Sequence, residues 1–77
     1  MIGYSQKMVN LNSQANTELL GVRLGRHCIR VGISVIEIAN HLKISRTAVY
    51  NWFMGLNEVS SKHEQEVKNL IEWLKRA

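Results

Sequence analysis

The chain has 77 residues, ten Lys and Arg against six Asp and Glu, a formal net charge of +4, no proline and one cysteine. A chain of this length holds one core that buries only about 60% of its unfolded surface, so modest stability is expected unless it dimerises. One cysteine excludes an intrachain disulfide, no apolar run approaches the ~20 residues of a membrane span, and the positive balance suits a polyanion without the excess that binding by charge alone would use.

Residues 1–16 are polar, rich in Asn, Ser and Gln, with Tyr4, Met8, Val9 and Leu11 scattered among them. They read as a flexible N-terminal arm that could order on a partner or as a short strand. Residues 17–77 are the expected folded domain. Its first helix should run from Glu18 to Val31, capped by Asn16 or Thr17 and stopped by Gly32. Leu20, Leu24, Cys28 and Val31 form the expected buried stripe. Arg23, Arg26 and Arg30 share another face, either as contacts to a phosphate backbone or as a solvated basic surface. Gly21 and Gly25 each cost roughly 1 kcal/mol relative to alanine inside a helix, which a close helix crossing would explain.

Residues Ile33 to Gly55 predict two short helices and a tight turn. Ser34 and Glu37 form a capping box, and Val35, Ile38, Ala39 and Leu42 recur as one apolar stripe. Lys43 and Ile44 make the turn, Ser45 caps the second helix, and that helix covers residues 46–54 before Gly55. On it Val49, Trp52 and Phe53 fall at i, i+3 and i+4 and should be buried. Arg46, Thr47, Tyr50 and Asn51 share the opposite face. A guanidinium, a hydroxyl, a phenol and an amide are groups that pair with base edges in the major groove, with Arg46 suited to guanine and Asn51 to adenine. The same residues could equally serve as ordinary surface charge at Arg46 and as packing against the next helix at Tyr50. After a loop at Leu56–Ser60, a second capping box at Ser61 and Glu64 opens a helix to about Lys75. Val67, Leu70, Ile71 and Leu74 are its apolar stripe, with Glu64–Lys68 and Glu72–Arg76 as i, i+4 ion pairs. Trp73 lies beside that stripe, where it either completes the core or stands exposed as an anchor for a second subunit.

The segment carrying Ile38, Ala39, Leu42, Ile44, Ser45, Val49, Trp52 and Gly55 resembles the helix-turn-helix of the lambda-repressor and Cro-like family of phage and bacterial regulators. It covers roughly a third of the chain. The resemblance implies an all-α fold of four to five helices and duplex DNA as partner; a homodimer on a two-fold site is expected because a single module buries too little surface to be both tight and specific. By position it implies Arg46, Thr47, Tyr50 and Asn51 as base-reading residues, with Ser45 and Lys43 joining Arg23, Arg26 and Arg30 at the DNA backbone. Two positions depart from the family pattern. Lys43 replaces the usual turn glycine and must take a positive φ or close a different turn. Val35 replaces a glutamine that commonly helps to anchor the backbone, so that contact does not carry over.

Other chemistry is sparse. Cys28 lies on an apolar stripe and reads as a buried thiol. His27, His41 and His63 lack ligand spacing with one another or with Cys28, so no metal site is expected. No phosphate-cradling loop, nucleophile–base pair or converging carboxylates are visible; neither enzyme activity nor a cofactor nor a small-molecule ligand is expected. The first residues lack a signal-peptide layout, and the expected location is cytoplasmic, in a bacterium or phage-infected host at the nucleoid. Repression by occupying a promoter is the leading expectation. The alternatives are a nonspecific or phage DNA-packaging-related binder and a protein–protein module on the same helical scaffold.

Overall fold

A computed structural model describes residues 4–77, which form five helices and no strand. In chain order these are α1 (Gln6–Gln14), α2 (Leu20–Val31), α3 (Val35–Leu42), α4 (Arg46–Phe53) and α5 (Ser61–Lys75). The all-α expectation holds. No helix among the described residues is long and apolar enough to cross a membrane.

The expected flexible arm is corrected over its described part, where residues 6–14 are helical; residues 1–3 lie outside the described residues. The Ser5 hydroxyl caps α1 by accepting the Met8 N–H at 3.2 Å, satisfying one of the free donors at a helix start. Tyr4, Met8 and Asn12 then recur every four residues and turn one face to the core. Met8 is buried, and the Tyr4 ring lies 6.3 Å from that of Phe53. The Tyr4 hydroxyl donates to the Ile33 carbonyl. Burial pushes its phenol well above the usual range.

Asn12 is the one buried polar side chain among the described residues. Its Nδ2 donates to the Phe53 carbonyl at 2.7 Å and to that of Val22 at 3.2 Å. The Phe53 carbonyl belongs to the last turn of α4, where helix carbonyls lack intrahelical partners. Asn12→Ala would strand it in an apolar setting, and a loss of about 1–3 kcal/mol of folding stability is expected. Urea titration checks this; an unchanged midpoint would mean that α1 is not held as described.

The start of α2 is corrected from Glu18 to Leu20. Asn16 closes a local turn by accepting the Glu18 N–H at 2.9 Å, and Leu19 takes the cap position without a side-chain bond. The helix ends as expected at Gly32, whose φ of 89° suits glycine. Leu24 and Cys28 are buried, as is Val22, whereas Leu20 and Val31 are half-buried. Burial also pushes the Cys28 thiol up to about 12, which leaves it protonated at neutral pH and unreactive.

Gly21 and Gly25 lie where α2 crosses α4. A Cβ at Gly21 would stand 2.6 Å from the Trp52 Cβ, and one at Gly25 would stand 2.8 Å from the Phe53 Cγ. Close approach therefore explains both glycines. On the far side α5 closes the core with Val67, Ile71 and Leu74 buried and Leu70 packed against them. Its expected cap moves by one residue, to Ser60, and no side-chain cap bond forms. Glu64 pairs with Lys68 at 3.0 Å as expected, but Glu72 pairs with Lys75 instead of Arg76. Trp73 remains 59% exposed, so it does not complete the core of the monomer.

Candidate nucleic-acid interface

Local signals build the central pair of helices. The Ser34 hydroxyl accepts the Glu37 N–H at 3.2 Å, and the Ser45 hydroxyl accepts the Ala48 N–H at 3.1 Å. Between the helices Lys43 has φ 58° and ψ 45°, so it keeps the glycine-like turn at a cost of roughly 1–2 kcal/mol. The return is a sharp reversal in which the Ile44 N–H reaches the Ala39 carbonyl at 3.0 Å. Val35, Ile38, Ala39 and Leu42 are all buried, as are Val49, Trp52 and Phe53. Packing on both helices thus fixes which way α4 presents its remaining side chains.

Arg46, Thr47 and Tyr50 are exposed on α4, and none of their side chains has a hydrogen bond or ion pair among the described residues. Asn51 is half-buried, and its carbonyl accepts the Leu56 N–H at 2.9 Å. Three of the four expected base-reading side chains are therefore fully presented, while the fourth sits at the margin. The helix itself ends at Phe53, one residue short of the expected 54, and Met54 caps it.

Two neighbouring features escape a reading of the sequence. Tyr50 forms one wall of a cleft of about 180 Å³ that also meets Tyr4, Ser5, Ser34 and Ile36, so the starts of α1 and α3 lie beside it. Lys62 of α5 shares an open cleft with His41, Lys43 and Ile44 at the α3–α4 turn. His63 in that cleft contacts Glu66 at 3.5 Å, whereas Lys43 and Lys62 have no partner among the described residues. A single lysine at the start of a helix carries no motif; only the fold brings it to the turn.

The three arginines of α2 are not part of this surface. Two of them act on helix ends: Arg26 Nη2 donates to the Ser13 carbonyl at 2.8 Å, and Arg30 Nη2 to that of Leu74 at 2.9 Å. Cations at the C-terminal ends of α1 and α5 interact favourably with the exposed carbonyls there. The basic stripe expected at the DNA backbone with Lys43 and Ser45 lines a depression that shares no residue with the clefts beside α4 and the turn. Among the described residues no group of three or more His, Cys, Asp or Glu is placed to hold a metal ion. The chain matches no family model, no curated protein and no solved structure.

Proposed function

We propose that the protein is a sequence-specific duplex DNA-binding regulator of transcription, a helix-turn-helix domain of the lambda-repressor and Cro-like type with α4 in the major groove. The observation that carries this reading is the face of α4: Arg46, Thr47 and Tyr50 stand exposed and unpartnered on a helix whose other side is locked by Val49, Trp52 and Phe53. Unpaired donors and acceptors on a rigid helix lose little entropy when they meet base edges. Arg46 is assigned a bidentate contact to guanine and Asn51 one to adenine, with Thr47 and Tyr50 on flanking edges. Ser45, Lys43 and Lys62 are assigned to phosphates beside the groove.

Cα extents of 30 × 24 × 23 Å leave one protomer a small footprint. Two protomers on half-sites about 34 Å apart would supply the surface that specific binding needs. Repression would follow from occupying a promoter. Lys43→Ala and Lys62→Ala should each weaken preferred and random duplexes equally and flatten the salt slope by about one. Titrations at several salt concentrations read both effects; a loss confined to the preferred duplex would remove these lysines from the backbone.

The deciding experiment is selection from random duplex DNA at near-physiological salt, followed by sequencing. An enriched two-fold motif supports the regulator, and retained DNA without any motif moves the protein to nonspecific binding. Loss of all retention, even at low salt, overturns DNA binding by α4.

A further inference from the structure

The α2 arginines look away from α4. Gly21 and Gly25 mark the side of α2 pressed against Trp52 and Phe53. At about 100° per residue, Arg23 lies some 200° round from Gly21, Arg26 some 140° from Gly21, and Arg30 some 140° from Gly25. On α4 the exposed Thr47 lies some 120–160° round from the buried Val49, Trp52 and Phe53, so the middle of the polar face likewise turns from α2. The two polar faces therefore turn to opposite sides of the α2–α4 contact.

Thr17, Arg23, Arg26, His27 and Arg30 line an open depression of about 500 Å³ with no carboxylate in its wall. α2 itself contains no Asp or Glu, and none of the three arginines forms an ion pair among the described residues. Glu64 and Glu72 on neighbouring α5 are already bonded to Lys68 and Lys75, and Glu18 and Glu58 share a separate cleft with Arg23 without an ion pair to it among the described residues. His27 is held below its ordinary range by burial and by the positive charges of Arg30 and Lys75, which Glu72 opposes. The carbonyls that hold Arg26 and Arg30 engage one nitrogen of each guanidinium, leaving further N–H donors on a head group already fixed in place.

Along the helix Arg23 to Arg30 span about 10 Å, about three axial steps of one DNA strand at roughly 3.4 Å each. No Phe, Tyr, Trp or large aliphatic side chain lines the depression, which disfavours a folded protein or a lipid surface as occupant. We propose that this face holds the phosphate backbone of a second duplex, so that one protomer bridges two DNA segments. The inference rests on α4 as the contact to the first duplex.

A capture assay tests it: one duplex is tethered to beads, protein is added at near-physiological salt, and a second, labelled duplex is offered. Arg23→Glu is the informative variant, because the Arg23 side chain has no hydrogen bond within the described chain. Lys7→Glu, an exposed position on α1, supplies the same change in charge elsewhere. The wild-type protein and Lys7→Glu should capture the labelled duplex. Arg23→Glu should reduce capture at least fivefold while its retention on the tethered duplex changes less than twofold. Equal capture by Arg23→Glu would overturn the proposal and trace bridging to two α4 helices of a dimer. Retention without capture by wild type would overturn it and leave the α4 reading standing; no retention at all would remove both.

Discussion

Gly21→Ala is expected to destabilise the fold by about 3 kcal/mol, the upper part of the range for overpacking a filled core. Helix propensity alone argues the other way, since alanine in place of glycine inside a helix gains about 1 kcal/mol. Geometry decides the sign. The new Cβ would stand 2.6 Å from the Trp52 Cβ and 2.9 Å from the Trp52 carbonyl oxygen, and a backbone atom cannot rotate aside as a side chain can. α2 and α4 would have to separate, loosening contacts on both. At roughly 4–8 °C per kcal/mol for a domain of this size, the thermal midpoint should drop by more than about 10 °C. Gly32→Ala is the contrast: nothing lies within 4 Å of its Cβ position, and φ is 89°, so only the left-handed penalty of about 1–2 kcal/mol applies. If Gly21→Ala melts at or above the wild-type temperature, α2 and α4 do not touch as described.

Arg46→Ala should cost about 1–3 kcal/mol on the preferred duplex, a loss of roughly 5- to 150-fold in affinity, and should relax preference at one base position. Random duplex should be weakened far less, by the share of a single charge. Asn51→Ala should follow the same pattern with a smaller effect, because Asn51 is half-buried while Arg46 is exposed. Paired titrations of preferred and random duplexes separate the terms. Equal losses on both would make Arg46 a phosphate contact and leave base reading without its main residue.

The α3–turn–α4 unit is legible in the sequence because its determinants are local. Ser34 and Ser45 each bond a backbone N–H three residues on, and the apolar positions repeat within two turns. Even the doubt over Lys43 concerns one dihedral angle. α1 is hidden for the opposite reason: Asn12 looks like a loop residue until its partners, 10 and 41 positions away, are brought to it. The α2 arginines form a plain stripe in the sequence, but two of their bonds cross 13 and 44 positions to other helix ends. Which way that stripe faces follows only once Gly21 and Gly25 are known to meet α4. Lys62 joins the candidate site by the return of α5 past the turn, which no nearby pattern announces.

The Asn12 clamp also orders events during synthesis. Chains emerge from their N-terminal end, so the α1 segment leaves the ribosome early but finds its anchors, the Phe53 carbonyl for Asn12 and the Phe53 ring beside Tyr4, only after α4 has followed it out. A segment of nine residues is too short to persist as a helix alone in water. α1 is therefore made before α4 yet settles only after it, and until it does, the Phe53 carbonyl has no Asn12 to cover it.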